Sequence, residues 1–376
     1  MAGIYIHVPF CKTRCAYCDF FTQTDTAEKS LYPEALGQEI ELRCDYLNGE
    51  IIDSIYFGGG TPSQLSADEI HFILEKISGN FTVNPGAEIT LEANPDDLDK
   101  PYLELLLSIG INRLSIGIQS FNDNLLHFLN RRHSAQKAVD IVKTAQKAGF
   151  ENISIDLMYG LPGMTIDIWN YTLDKAIALN VQHISAYHLI YEEGTPLYKQ
   201  LENKSINPVD EDMSVEMFST MIDKLKDAGF IHYEISNFGK DKYFSKHNTS
   251  YWLDTKYLGL GPASHSYNQE ARSWNIASIP LYIEAIKTGT PNLEIEILDL
   301  KSRYNDYILT RMRTMWGVDT NELKNRFGES MLRYFLENIR KHVSSGNVSK
   351  SGNNYKLGRN GIFISDSIMS DLMYIN

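Results

Sequence analysis

The chain has 376 residues, 43% of them hydrophobic and 22% charged, which is ordinary for a globular protein with one large domain and a smaller appended one. No apolar run approaches the roughly 18 residues that a membrane-spanning helix requires, so the sequence predicts no transmembrane segment. The formal net charge of −13 argues against non-specific binding of nucleic acid.

Strand-like and helix-like segments alternate along the first 240 residues. Strands are predicted at residues 4–8, 52–57, 88–93, 113–118, 152–158 and 183–190, with a further one at 231–235. Two of the intervening helices have clear ends, because Ser66 and Glu69 form a capping box and Gly149 follows a helical pattern over residues 135–148. This α/β alternation predicts a parallel sheet. Six or seven repeats without a GxGxxG motif favour a partial (βα)6-7 barrel, with its chemistry at the C-terminal ends of the strands.

Three of the four cysteines, Cys11, Cys15 and Cys18, directly follow the first predicted strand. The CxxxCxxC spacing lets one loop offer three thiolates to a four-iron cluster, which leaves one iron without a protein ligand. A zinc site is the alternative, but it requires a fourth ligand, and Cys44 lies in a predicted helix. A disulfide is disfavoured because four cysteines without a secretory segment indicate a reduced, cytoplasmic chain.

Other predicted strands also end in glycine or polar residues. Consecutive glycines let a backbone approach a ligand closely, a carboxylate accepts hydrogen bonds from hydroxyl or amino groups, and a guanidinium pairs with a carboxylate. Taken alone, the glycine segment is more often a tight turn, and each of the later polar residues is equally well explained as an ordinary hydrogen-bonding group at a strand end. The residues concerned are Gly58, Gly59, Gly60 and Thr61 after the second strand, Glu92 in the third, Gln119 at the end of the fourth, Arg131 twelve residues further on, and Asp156 in the fifth.

The segment that runs from Gly3 through the cysteines to Phe20 resembles the radical S-adenosylmethionine (SAM) superfamily, in its HemN/HemW branch. The resemblance implies an incomplete barrel and a [4Fe–4S] cluster whose open iron binds the amino and carboxylate groups of SAM. It also implies that a reduced cluster cleaves SAM to a 5′-deoxyadenosyl radical, so that the cofactors supply the reactive chemistry and the protein orients them. The positions that match SAM contacts of this branch are Tyr5, Gly59, Gly60, Thr61, Glu92, Gln119, Arg131 and Asp156.

Phe20 separates this chain from part of that branch. The oxygen-independent coproporphyrinogen III dehydrogenases that the barrel resembles have a fourth cysteine at this position and a longer N-terminal arm. The Cys-Asp-Phe ending is that of the HemW subgroup, whose members bind heme and pass it to acceptor proteins. The resemblance therefore implies a heme chaperone, with oxidative decarboxylation of coproporphyrinogen III as the alternative. Whether the chain is an enzyme stays open.

The segment over residues 241–295 contains His247, Tyr251 and Trp252 in the order HNxxYW, which resembles a signature of the HemW subgroup. Histidine is a common axial ligand of heme iron, and tyrosine and tryptophan offer flat apolar surface to a porphyrin. The resemblance makes these three residues the candidate heme site. On residue chemistry alone, a hydrogen-bonded loop histidine and a tryptophan in the core are the simpler explanation.

The remaining residues, 296–376, form the third predicted segment after the barrel (1–240) and the connector (241–295). Helices are predicted near 303–315, 320–327 and 330–344, and strands at 355–357 and 362–364, an order typical of a winged-helix-like unit. Residues 301–376 have 12 Lys and Arg against 7 Asp and Glu, a charge of +5, whereas residues 1–300 have −18. Because +5 is modest, we expect a lid or docking surface and no nucleic acid. The implied partners are heme or a porphyrin, a heme acceptor protein and an electron donor.

Overall fold

The computed structural model describes residues 1–375, and its largest feature is a sheet of twelve strands in the order β12-β11-β10-β9-β1-β2-β3-β4-β5-β6-β8-β7. Strands β1 to β6 pair in parallel and are connected mainly through helices. The elements up to the sixth strand are β1 (Ala2–Val8), α1 (Tyr32–Leu42), β2 (Ile52–Gly59), α2 (Ala67–Asn80), β3 (Val83–Ala93), α3 (Lys100–Ser108), β4 (Arg113–Gln119), α4 (Asp123–Phe128), α5 (Ala135–Ala148), β5 (Ile153–Tyr159), α6 (Ile166–Ala178) and β6 (His183–His188).

The parallel strands lie in the core because helices cover their outer face. In β1, Ile4, Ile6 and Val8 are fully buried in the main hydrophobic cluster, as expected for a central parallel strand. Tyr5 and His7 alternate with them and point to the opposite face, because successive side chains of a strand face opposite ways. That opposite face is the concave side of the sheet, on which the candidate site lies.

Both predicted helix ends are confirmed. The Ser66 side chain accepts a hydrogen bond from the Glu69 backbone, and the Glu69 side chain accepts one from the Ser66 backbone, so α2 begins in a complete capping box. Helix α5 ends at Gly149, whose φ of 114° is readily adopted only by glycine. These two ends depend on neighbouring residues only, which is why the sequence predicts them well.

The sheet continues beyond the parallel strands on both sides and does not close within residues 1–375. The strand predicted at 231–235 is present, but it pairs antiparallel with β8, so the βα repeats supply six adjacent parallel strands, β1 to β6. At the other edge β9 pairs in parallel with β1, and β10, β11 and β12 follow antiparallel. The partial barrel is thereby confirmed. Its further elements are α7 (Pro196–Glu202), α8 (Glu211–Asp227), β7 (Ile231–Glu234), β8 (Asn237–Gly239), α9 (Lys246–Trp252), β9 (Tyr257–Leu260), β10 (His265–Tyr267), β11 (Ala271–Asn275), α10 (Ile279–Lys287) and β12 (Leu293–Ile297).

The C-terminal part has a hydrophobic core of its own, formed by buried residues between Tyr304 and Leu372. Three long helical segments surround a small sheet in the order β13-β15-β14. Gly328, with a φ of 85°, interrupts the longest helix and divides it much as the sequence predicts. The elements are α11 (Leu300–Met312), β13 (Val318–Asp319), α12 (Thr320–Ser344), β14 (Val348–Ser351), β15 (Asn354–Leu357), α13 (Arg359–Ile362) and α14 (Ser365–Leu372).

One predicted strand of this part is wrong. Residues 362–364 do not form the second strand of the ribbon, because the chain enters α13 at Arg359. The strand that pairs with β15 lies before it, and Gly352, with a φ of 60°, opens a two-residue hairpin loop between β14 and β15. Gly352 was the signal in the sequence that a hairpin lies at this position. The apolar side chain of Ile362 packs against the barrel core, which explains its hydrophobicity without a strand.

Polar contacts join the C-terminal part to the barrel. Arg359 donates hydrogen bonds to the Ser219 hydroxyl at 2.7 Å and to the Asp223 carboxylate at 3.0 Å, both on α8. Arg326 forms an ion pair with Asp254, just after α9. The C-terminal helices therefore contact the segment that follows the barrel strands. Among residues 1–375, no helix is long and apolar enough to cross a membrane.

Candidate functional site

A cavity of about 420 Å³ lies at the C-terminal ends of the parallel strands, within the usual range for small-molecule sites. The structure brings ten of the eleven residues predicted for the cluster and SAM into its wall. The exception is Tyr5, which lies behind the wall. The ten are Cys11, Cys15, Cys18, Gly59, Gly60, Thr61, Glu92, Gln119, Arg131 and Asp156.

The cysteine loop follows β1 directly. The Cys11 thiol accepts a hydrogen bond from the Thr61 hydroxyl at 3.3 Å, and the Cys18 backbone N–H donates to the Cys15 carbonyl at 3.3 Å. Cys44 lies two residues past the end of α1 and is not part of the cavity wall. Burial raises the pKa of the Cys11 thiol and raises that of Cys18 to about 11. Thiolate ligands would therefore form with release of protons as metal binds.

Within residues 1–375, no three Cys, His, Asp or Glu side chains are arranged as ligands of a single metal ion. A four-iron cluster is larger than one ion and spaces its ligands further apart. Ligation by the three cysteines of the loop therefore stays a prediction.

The glycine segment after β2 packs against the cysteine loop. Gly59 has a φ of 106°, and the Gly60 N–H donates to the Val8 carbonyl at 2.8 Å. A Cβ added at Gly60 would lie 2.9 Å from that oxygen and 3.1 Å from the Cys11 sulfur, closer than ordinary contacts allow. The absence of side chains here keeps the backbone beside the cysteine loop open to a ligand.

Two carboxylates from neighbouring strand ends lie on the cavity side of the sheet. The Tyr56 hydroxyl donates to Glu92 Oε1 at 2.7 Å, and the Ser115 hydroxyl donates to Asp156 Oδ1 at 3.2 Å. Burial raises the pKa of Glu92 to about 7 and that of Asp156 to about 6. A cationic or hydrogen-bond-donating ligand would stabilise the charged form of these buried carboxyl groups.

Arg131 and Gln119 close the wall beside β4. The Arg131 guanidinium donates to the Cys15 sulfur at 3.3 Å and, from Nη2, to Asn94 Oδ1 and to the Gly117 carbonyl, each at 2.5 Å. Its Nε is buried without a hydrogen-bond partner in the described chain. Gln119 has a φ of 67°, which a residue with a side chain rarely adopts. Strained backbone of this kind is frequent at functional sites.

Among the wall residues that the sequence did not single out are Tyr56, Asn94 and Ser115, which hydrogen-bond to the predicted site residues Glu92, Arg131 and Asp156. A signal for two of them exists, because side chains two positions apart on a strand share a face. Tyr56 precedes the glycine segment by two residues, and Ser115 lies opposite Glu92 in the register of β3 and β4. Asn94 follows Glu92 by two residues, but beyond the end of β3.

The three residues predicted for heme are not part of the cavity wall, although their neighbour Asn248 is. The imidazole of His247 is fully buried and forms hydrogen bonds with the Ser54 hydroxyl at 2.9 Å and the Tyr251 hydroxyl at 2.8 Å. Both ring nitrogens are therefore occupied. Trp252 is partly buried beneath the Arg313 guanidinium, 5.8 Å from its ring centre. Ligation of iron by His247 stays a prediction that would require one of these two hydrogen bonds to break.

His247 instead supports the cavity wall from behind. Its ring stacks on Tyr56 with 5.0 Å between ring centres, and Tyr5 stacks on both rings at 6.2 and 6.3 Å. Because the Tyr56 hydroxyl contacts Glu92, this aromatic stack fixes the position of a cavity carboxylate. Tyr5 therefore belongs to the layer behind the site.

The mouth of the cavity exposes three large apolar side chains beside polar ones such as Arg14 and Asp19. Phe20, directly after the cysteine loop, is 62% exposed, and Ile190, just beyond β6, is 64% exposed. Tyr187 adds an aromatic ring that is 43% exposed, and all three line the opening. An exposed apolar rim beside a polar cavity is typical of a surface that binds a ligand or a partner.

Comparisons with known proteins show the family of this chain. Residues 5–176 match the model of the Radical SAM superfamily, and residues 298–364 match the HemN C-terminal domain. The heme chaperone HemW of Bacillus subtilis is 31% identical over 375 residues, which cover 98% of each chain. HemW of Lactococcus lactis is 34% identical over 336 residues, 89% of this chain and 87% of that one.

A solved structure shares the fold across both parts of the molecule. Coproporphyrinogen III oxidase (HemN) from Escherichia coli, described as a radical SAM enzyme, superposes with a TM-score of 0.85. The alignment covers 99% of this chain and 90% of that one, at 21% sequence identity. At this identity the likeness concerns the fold alone.

Proposed function

We propose, because this chain belongs to the HemW family of the radical SAM superfamily, that it is a heme chaperone which binds heme and passes it to an acceptor protein. The observation that supports a cofactor-dependent protein is the cavity, in which three thiols, a glycine segment, two carboxylates and an arginine meet. A heme chaperone also needs an apolar surface for the porphyrin, and the rim of the cavity offers one.

We assign the [4Fe–4S] cluster to Cys11, Cys15 and Cys18. The fit rests on the donor set, since three thiols share one loop and the Arg131 guanidinium lies beside one of them. The open backbone at Gly60, which a Cβ would obstruct, supports the same assignment. When bound, the cluster supplies electron transfer and an iron with a free coordination position.

We assign SAM to the remainder of the cavity wall. Glu92 and Asp156 suit the amino group and the ribose hydroxyls, and the glycine segment suits close approach of the methionyl part. The raised pKa values of the two carboxyl groups support this, because buried carboxylates gain most from a ligand that donates hydrogen bonds. Gln119, Arg131 and Thr61 complete the proposed contacts.

Phe20 favours heme carriage over catalysis. It occupies the position at which the related dehydrogenases have a fourth cysteine, and an exposed phenyl ring supplies apolar contact but neither a thiol nor a proton. Decarboxylation of coproporphyrinogen III is the second candidate function, because a heme carrier has no evident need for a complete set of cluster and SAM-binding residues. The same residues would serve a chaperone if SAM binding controlled heme transfer.

The further partners are an acceptor protein and an electron donor for the cluster. The four cysteines are all free, and a cytoplasm that keeps thiols reduced suits a cluster bound by them. We therefore propose a cytoplasmic protein. We also propose the division into residues 1–240, 241–295 and 296–376, which the separate hydrophobic cores of the barrel and the C-terminal part support.

The test is one anaerobically reconstituted preparation divided between two assays. In the first, heme is titrated and followed by its absorption; we expect about one heme per chain. In the second, coproporphyrinogen III, SAM and a reductant are supplied, and we expect no decarboxylation. Turnover of coproporphyrinogen would replace the chaperone by the dehydrogenase. Absence of heme binding together with absence of turnover would reject both functions.

A further inference from the structure

His265 differs from the other nine histidines in combining an exposed, unbonded imidazole with an aromatic partner. Within residues 1–375 only His127 and His265 are exposed and have no hydrogen bond or ion pair to the ring, and His127 also contacts no aromatic ring. The other eight are buried, hydrogen-bonded or ion-paired, and they are His7, His71, His133, His183, His188, His232, His247 and His342. His265 therefore offers a nitrogen lone pair at no cost in existing bonds.

The strand register places His265 on the cavity face of the sheet. Tyr56, in the cavity wall, pairs with Tyr5, and Tyr5 pairs with Gly259 on β9. Tyr257, two residues before Gly259, pairs with Tyr267 on β10. Paired residues share a face, and so do residues two apart on one strand. His265, two residues before Tyr267, is thus on the same face as Tyr56.

His265 is also at the cavity end of that face. Strand β9 runs parallel to β1 and ends at Leu260, on the side where the cysteine loop follows β1. His265 opens the next, antiparallel strand and is therefore at the same end. An added Cβ on Gly259 of β9 would meet the His265 backbone, and Gly259 pairs with Tyr5, two residues before His7, so only one strand separates His265 from the strand of His7. The pKa of His7 is lowered chiefly by burial and further by His265. His7 in turn bonds the carbonyl of Phe21, next to the apolar rim.

Flat aromatic surface lies beside the imidazole of His265. Trp274, its partner in the register of β10 and β11, stacks on it with 5.6 Å between ring centres and 25° between the planes. A parallel indole restricts rotation of the imidazole and so orients its nitrogen. Tyr257 and Tyr267, 6.2 Å apart, continue the aromatic surface on the same face. Aromatic faces of this kind suit a porphyrin.

We propose that His265 is the axial ligand of the heme iron and that Trp274 holds its imidazole in the ligating orientation. This inference rests on the proposed heme chaperone function and names the ligand within it. His265 is outside the wall of the 420 Å³ cavity, so heme ligated there would leave the proposed SAM contacts free. Heme and SAM would then be held side by side, at the same end of the sheet.

The test is a heme titration of the full-length chain and its variants, followed by absorption spectroscopy. His265→Ala should change the Soret band and lower heme affinity at least about tenfold, because even an outer partner of a metal ligand is worth about 10- to 100-fold. His127→Ala, the other exposed and unbonded histidine, is the matched control and should leave both unchanged. Free imidazole should restore the spectrum of His265→Ala, and Trp274→Leu should weaken binding.

A second variant keeps the assignment testable if His265→Ala folds poorly. Methionine also ligates heme iron, so His265→Met should retain heme with a shifted spectrum. Wild-type spectra and affinity in either folded variant would overturn the assignment while the chaperone function stands. No heme binding by the wild-type chain would instead reject the proposed function itself. A spectral change that occurs in His247→Ala but not in the His265 variants would assign ligation to His247.

Discussion

The Arg131 guanidinium donates a hydrogen bond to the sulfur of Cys15 at 3.3 Å, across 116 residues of sequence. Its second terminal nitrogen binds Asn94 and the Gly117 carbonyl, at the ends of two neighbouring strands. One side chain thus fixes the middle cysteine of the loop relative to β3 and β4. The barrel itself holds the loop in place through this side chain, without a cofactor.

Replacement of Cys15 by serine should abolish iron binding, because the three cysteines of the loop are the proposed ligands of the cluster. Anaerobic iron analysis of the reconstituted wild type should give about four irons per chain. Cys44→Ser is the control and should retain them, since Cys44 is outside the cavity. Full iron content in Cys15→Ser would contradict the assignment.

Gly60→Ala should also reduce iron content, although it removes no ligand. The added Cβ would meet the Val8 carbonyl at 2.9 Å and the Cys11 sulfur at 3.1 Å, so the cysteine loop must shift. Gly79→Ala, on α2, is the matched control because its Cβ would meet nothing within 4 Å. Gly79→Ala should keep its iron and gain up to about 1 kcal/mol in stability. Equal iron content in both variants would show that the loop tolerates the shift.

Asp156→Ala should weaken SAM binding about 10- to 100-fold, because a hydrogen bond to a charged group is worth about 1.5–3 kcal/mol. Equilibrium binding measured by calorimetry on the iron-loaded protein would give this number. Iron content should stay at the wild-type level, which separates lost binding from unfolding. Asp227→Ala, at the exposed end of α8, should bind SAM normally. Wild-type affinity in Asp156→Ala would remove Asp156 from the site.

The stability of the ligand-free chain should fall between about pH 4.5 and 7 because of Glu92. Burial raises the pKa of this carboxyl from its ordinary 4.5 to about 7, so the folded chain keeps the proton to a higher pH than the unfolded chain. The contribution of Glu92 to the free energy of unfolding is fully present at low pH. It is lost as the pH rises through the Glu92 pKa of the folded chain, by up to about 3 kcal/mol. Urea unfolding of the wild type and Glu92→Gln at pH 5 and 8 measures it. An equal change with pH in both proteins would be inconsistent with this role.

His247→Ala should destabilise the fold by about 2–5 kcal/mol, because it opens a cavity and leaves the Ser54 and Tyr251 hydroxyls without their partner. It should also weaken SAM binding, since His247 stacks on Tyr56, which contacts Glu92. Urea unfolding and SAM titration of the same preparation check both effects. Stability and SAM affinity equal to wild type would show that the aromatic stack does not support the site.

The sequence by itself determined the fold class and brought ten of the eleven residues predicted for the cluster and SAM to the cavity. Six strands run parallel, so their C-terminal ends meet at one edge, and residues that follow strands far apart in sequence converge there. Local signals such as the capping box at Ser66 and the end of α5 at Gly149 depend on a few neighbours and were equally readable. The three cysteines lie in one short loop, so their spacing alone predicts that they lie close together.

Only the tertiary structure decided the environment of each histidine. The imidazole of His247 is hydrogen-bonded to Ser54, 193 residues away, and His265 lies on the cavity face through three successive strand pairings. No local pattern encodes such partners. The antiparallel pairing of β7 and the helix at Arg359 in place of a strand were likewise set by distant packing. Burial and hydrogen-bond occupancy, which decide whether a side chain is free to bind a ligand, are properties of the assembled sheet.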